Sequence, residues 1–126
     1  MISKKTLTGL KVLVIEDEPL ISMFIEDTLA DIGCEIVATA TNLTEAMTKV
    51  TEIECDVIML DVNLSGTQTF KFAESLCERH LPFIFSTGYG IAGIPPHLHH
   101  VPVLQKPFQE SDLREMLHDV LNAERT

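Results

Sequence analysis

Short apolar runs, too brief for helices, recur along this chain, and each is followed by a segment of helical period. Residues 10–15 are apolar except for Lys11, and Val57, Ile58, Met59 and Leu60 follow one another without a break. A strand wet on one face alternates polar and apolar residues, whereas a continuous run marks a strand covered on both faces, as in a parallel sheet. Shorter runs at 36–40, 82–85 and 101–104 join 10–15 and 56–60 to give five predicted strands. Between them lie helix signals. Pro19 suits a first helical turn, Ile21, Phe24, Ile25, Thr28, Leu29 and Ile32 recur on one face, and Gly33 is a stop. Asn42 with Glu45 reads as a cap and its reciprocal partner, leading a helix with Leu43, Ala46, Met47, Val50 and Ile53 inward. Residues 70–80 form a third helix with Phe72, Ala73, Leu76 and Cys77 inward, and Leu113, Met116, Leu117, Val120 and Leu121 mark a last one.

Strands alternating with helices predict a parallel sheet with helices on both faces, joined by right-handed crossovers. Five strands suggest the doubly wound, flavodoxin-like order 2-1-3-4-5, whose switch point lies between strands one and three. The fourth helix is expected to be short or irregular. Residues 88–100 contain three glycines and the Pro95-Pro96 pair, so at most a short turn starts at the prolines. The 126 residues read as one domain.

The formal net charge of −10 makes this chain a poor partner for a phosphate backbone, which needs clustered Lys and Arg. No nucleic acid is expected. The polar start shows no signal peptide and no run is long enough to span a membrane. Cys34, Cys55 and Cys77 have no paired spacing and read as free thiols in a reducing compartment, so a cytoplasmic protein is expected.

The predicted strand ends carry the chemistry. Glu16 and Asp17 close the first run and Asp61 closes the third. Three acids at one edge repel each other unless something positive sits among them. Hard oxygen ligands at such an edge suit Mg²⁺, which binds through a few carboxylates and keeps several waters. The fourth run ends in Ser86-Thr87-Gly88 and the fifth in Gln105-Lys106-Pro107-Phe108, adding a hydroxyl and an ammonium. Acids, a metal, a hydroxyl and an ammonium make a site for a phosphoryl group, and an Asp carboxylate can serve as its nucleophile. Each piece has a plainer use alone: Glu16 and Asp17 as helix-capping acids, Asp61 in an Asx turn, Thr87 as a turn hydroxyl, Lys106 as a solvated cation. Their joint place at strand ends favours the site.

In Glu16-Asp17, Asp61, Thr87 and Lys106-Pro107-Phe108, each at its strand end, the chain resembles the receiver domains of two-component response regulators. The resemblance implies Asp61 as phosphoacceptor, Asp17 as a direct Mg²⁺ ligand, Glu16 acting mainly through water, and the Asn63 backbone carbonyl on the metal. It implies Lys106 paired with the phosphoryl group and a cis bond to Pro107. It also implies a histidine kinase or phosphotransfer protein as donor and a downstream protein as target. Two departures stand out: Val103 lies where many receivers carry a switching Tyr or Phe, and Ser65 where Pro is usual. Phe85-Ser86-Thr87-Gly88-Tyr89-Gly90 is partly similar to a subclass with a Phe-Ala-Thr-Gly-hydrophobic-Tyr motif, which includes many stand-alone receivers. Tyr89 is thus a candidate for partner contact or gating. With no room expected for an output domain, output would be by protein contact.

Two other functions fit part of the pattern. Aspartyl-phosphate phosphohydrolases resemble an Asp-x-Asp pattern, but the second acid is Asn63 here, which cannot transfer a proton. A receiver-like binding module that is not phosphorylated would need no intact Asp61. His97, His99 and His100 match no familiar metal spacing and read as a solvated loop, and Phe70, Phe72, Phe83 and Phe85 read as core.

Overall fold

The computed structural model describes residues 7–124, with the side chains of residues 123 and 124 outside the description. Strands β1 (Lys11–Ile15), β2 (Glu35–Ala40), β3 (Val57–Asp61), β6 (Phe83–Thr87) and β7 (Val103–Gln105) form one sheet. A two-stranded hairpin of β4 (Asn63–Leu64) and β5 (Thr67–Gln68) follows β3 directly. The main sheet is parallel, in the order β2-β1-β3-β6-β7. That is the expected 2-1-3-4-5 order once the hairpin is set aside. Helices α1 (Pro19–Ile32), α2 (Leu43–Glu52), α3 (Phe70–Glu78) and α4 (Glu110–Glu124) cover it.

The two-residue period of the strands divides the core. Val12, Val14 and Met59 face α1 and α4, packing with Ile25, Leu29, Leu113 and Leu117. Leu13, Ile15, Ile58 and Leu60 face the other way, packing with Ala46, Val50, Phe72 and Leu76. Phe72, Phe83 and Phe85 are buried and Phe70 half-buried, with Phe85 edge-on to both Phe70 and Phe83. These four rings are core, as expected.

The helix ends obey the local signals. Pro19 opens α1, and Gly33 closes it at φ 106, where a side chain would be strained. The Asn42 side chain accepts the Glu45 N–H at 2.9 Å, while Glu45 reaches one residue further back than expected, to the Thr41 N–H at 2.8 Å. Phe24 and Met47 depart from the helical periodicity: both fall on apolar stripes expected to be buried, yet both are exposed, because they lie at the margins of those stripes. Phe24 instead lays its ring against Phe108, with centroids 5.4 Å apart.

The fourth-helix region contains two 3-10 turns, Gly90–Gly93 and Pro96–Leu98. The second begins at the prolines as expected; the first was not foreseen. Pro95 is extended (φ −58, ψ 145), since a residue before proline is pushed out of the helical region, and this separates the turns. Ile94 and Leu98 still bury their side chains on the α2/α3 face, filling the space a full helix would occupy. The three histidines there go separate ways: His97 to Glu74 at 2.8 Å, His99 to the Ile94 carbonyl at 2.7 Å, His100 to Cys77 Sγ at 3.8 Å. All three cysteines are free. Among the described residues no helix is long and apolar enough to cross a membrane.

Candidate functional site

Carboxylates end both strands that flank the switch point. Asp61 is the last residue of β3, and Glu16 and Asp17 follow β1 directly. One carboxylate oxygen from each lies within 4.8 Å of the others. Asp61, Asp17, Asn63, Thr87, Tyr89 and Lys106 line a cleft of about 600 Å³ at this edge. Glu16 does not line it. At 1% exposure it lies beneath, accepting a 2.8 Å ion pair from Lys106 Nζ and the Glu18 N–H at 3.2 Å. Lys106 Nζ also lies 3.5 Å from Asp61 Oδ2, so one ammonium serves two buried carboxylates. This is the positive group that the clustered acids required.

The electrostatics follow from that geometry. Burial pushes the Asp61 carboxyl up to about 7, and the Glu16 charge adds to it; Lys106 and the Asn63 N–H pull the other way without offsetting them. For Lys106, burial works to lower the pKa, but Glu16 and Asp61 outweigh it and the net shift is upward. One cation is too little for three acids. Closely spaced carboxylates on a solvent-open cleft, with excess negative charge, fit a hard divalent ion that retains waters.

The backbone around Asp61 is fixed from below. Thr69, fully buried, donates its hydroxyl to the Asp61 carbonyl at 2.7 Å and lies 3.2 Å from the Val62 carbonyl. A bond of this kind contributes about 1 kcal/mol. Asp61 Oδ1 accepts the Asn63 N–H at 3.2 Å, so the Asx turn and the clustered site coexist in one residue. The hairpin was not foreseen, nor was Thr69. Its only mark in the sequence is a β-branched hydroxyl just before a helix. Ser65, which had stood out only as a departure from Pro, donates its N–H to Asp17 Oδ2 at 2.9 Å.

Thr87 is buried at the end of β6, and its Oγ1 accepts the Tyr89 N–H at 3.1 Å. A hydroxyl that accepts there can still donate its own proton. The Lys106 N–H bonds the Thr87 carbonyl at 2.8 Å, tying the two strand ends together. The Lys106–Pro107 bond is cis. Tyr89 is 81% exposed at the cleft mouth. Val103, half-buried in the edge strand opposite Phe85, packs on the α2/α3 side of the core.

A doubly wound parallel sheet with three acids, a lysine and a hydroxyl at its switch point defines a flavodoxin-like domain with an acidic rim site. The chain belongs to the response regulator receiver domain family, whose pattern it matches over residues 12–118. It is similar to SdrG of Sphingomonas melonis Fr1, at 36% identity and a TM-score of 0.79 over 93% of this chain and 98% of that one. The receiver domain of the PhyR response regulator of Erythrobacter litoralis is 31% identical with a TM-score of 0.79, covering 94% of each chain. The positive alginate biosynthesis regulatory protein of Pseudomonas aeruginosa is 29% identical over 113 residues, which are 86% of this chain and 46% of that protein. The chain thus spans about half the length of that curated relative.

Proposed function

We propose that this protein is a single-domain response regulator that takes a phosphoryl group from a histidine kinase or phosphotransfer protein onto Asp61, with Mg²⁺. The observation that carries this reading is the setting of Asp61: a buried carboxylate, 6% exposed, at the switch point, opening onto a cleft that Lys106 and Thr87 also line. An Asp61 oxygen attacks phosphorus, the P–N bond to the donor imidazole breaks, and the imidazole leaves with the electron pair. The product is an acyl phosphate. Mg²⁺ bound by Asp17, Asp61 and the Asn63 carbonyl, with Glu16 acting through water, would supply charge neutralisation to the phosphoryl oxygens.

The chain's own residues do the rest. Lys106, steered by Glu16, shifts its ammonium toward the new phosphoryl oxygens, and Thr87 donates its hydroxyl proton to one of them. Asp61 must be ionised to attack. With its pKa near 7 in the metal-free protein, positive charge at the acidic cluster favours the reactive form. Val103 offers no aromatic to swing inward. Movement of Thr87 would instead pass to Tyr89 through the N–H bond it accepts, and on to the turns at 90–98. Output would be contact with a downstream protein over that surface. The match to 98% of SdrG supports a receiver acting alone, and the free cysteines support a cytoplasmic setting.

The test is chemical. Incubation with acetyl phosphate and Mg²⁺ should yield a hydroxylamine-sensitive phosphate adduct, and EDTA should stop its formation. Adduct formation unaffected by EDTA would remove the cation from the scheme.

A further inference from the structure

The three acids are held in different ways. Glu16 and Asp61 are buried, and Lys106 fixes both. Asp17 is only partly covered, and among the described residues one hydrogen bond reaches its carboxylate, the 2.9 Å donation from the Ser65 N–H to Oδ2. Ser65 has φ 53, a left-handed conformation that a non-glycine residue adopts at a cost of about 1 kcal/mol. It forms the hairpin tip with Gly66 at φ 82. Its own hydroxyl donates to the Thr41 carbonyl at 3.3 Å, and Thr41 is in turn held by Glu45 at the start of α2. Ser65 therefore stitches together the three loops that follow β1, β2 and β3. A proline in this place has no N–H and a φ fixed near −65°, so it could not make this bond.

From this geometry we propose that Ser65 is a positioning residue for the cation site: its N–H occupies Asp17 Oδ2 and aims the other oxygen at the ion. This rests on the reading of Asp17 as a Mg²⁺ ligand. Mg²⁺ requires near-ideal octahedral geometry, whereas Ca²⁺ accepts irregular, flexible sets of oxygens. A hydrogen bond that orients a ligating carboxylate matters accordingly, and losing one typically lowers metal affinity 10–100-fold. The clasp should favour Mg²⁺ more than Ca²⁺.

The experiment is a pair of NMR titrations, with magnesium chloride and with calcium chloride, on the wild type, Ser65→Pro and Ser65→Gly. Ser65→Pro removes the N–H and should weaken Mg²⁺ binding about tenfold and Ca²⁺ binding by under about threefold. Ser65→Gly keeps the N–H, relieves the positive φ, and should stay within about twofold of the wild type for both ions. In the wild type the Ser65 amide should stay protected from exchange when Mg²⁺ is added, which reads the clasp even if Ser65→Pro folds poorly. Equal losses for both ions, unchanged or tighter Mg²⁺ binding in Ser65→Pro, or loss of Ser65 protection on adding Mg²⁺ would overturn the proposal. Absence of Mg²⁺ binding to the wild type would instead overturn the underlying reading of the site.

Discussion

Asp61→Asn should make the metal-free protein more stable at pH 8, by about 2 kcal/mol, and should leave it unchanged near pH 4. The folded Asp61 carboxyl titrates at about 7, above its ordinary value of 3.8, because burial and Glu16 disfavour its charge. The folded state therefore holds an extra proton between those two values. Wild-type stability falls as pH rises through that window and levels off above it. Full linkage from 3.8 to about 7 would give roughly 4 kcal/mol with the attraction of Lys106 already included, and about half is expected, since relaxation and water entry around the ionised carboxylate lower the cost of its burial. Urea unfolding at a series of pH values reads the difference directly. A gap of the same size at pH 4 and pH 8, or a less stable variant at pH 8, would contradict the electrostatics described for the site. Saturating Mg²⁺ should close the gap, because it stabilises the ionised wild-type cluster more than the neutralised one.

Lys106→Met should act in the opposite direction, costing about 3 kcal/mol at pH 8 in the absence of metal. Glu16 is 1% exposed and its ion-pair partner is Lys106 at 2.8 Å. Removing the ammonium leaves two buried carboxylates facing each other, and breaking a buried pair costs far more than the pair contributes against an apolar replacement. The loss should shrink toward pH 5 as Asp61 takes up its proton. For Lys106 itself the folded pKa is raised, so its contribution is complete at neutral pH and is lost only as pH climbs through that raised value. The two substitutions share one cluster and should not add. Asp61→Asn combined with Lys106→Met should recover part of the loss, giving a coupling energy of about 1 kcal/mol or more in a thermal or urea double-mutant cycle. Strict additivity would mean that Lys106 does not serve both carboxylates.

The strand order and the clustering of Glu16, Asp17, Asp61, Thr87 and Lys106 were legible because a buried parallel strand has a simple signature and its end is a fixed place on the fold. Strand boundaries differ by one or two residues; β6, for instance, runs over Phe83–Thr87 where a strand at 82–85 is expected. What stayed hidden depends on contacts between residues far apart in sequence. The Lys106–Glu16 pair spans 90 positions and the Ser65–Asp17 bond 48, and no periodicity encodes either. The 63–68 hairpin needs positive φ at Ser65 and Gly66, and a serine gives no sign of that in sequence. Phe24 and Met47 show the same limit for helices, since a stripe's margin looks like its centre until a neighbour covers it. At Gly90 the positive φ of 65 and the nearness of the Gln105 side chain suit the glycine found there, although the stretch reads simply as loop.

The proposed role of Asp61 as phosphoacceptor can be read from the mass of the intact protein after treatment with acetyl phosphate and Mg²⁺. The wild type should gain one phosphate, and Asp61→Asn, which should fold at least as well, should gain none. No adduct on the wild type, or an equal adduct on Asp61→Asn, would contradict it.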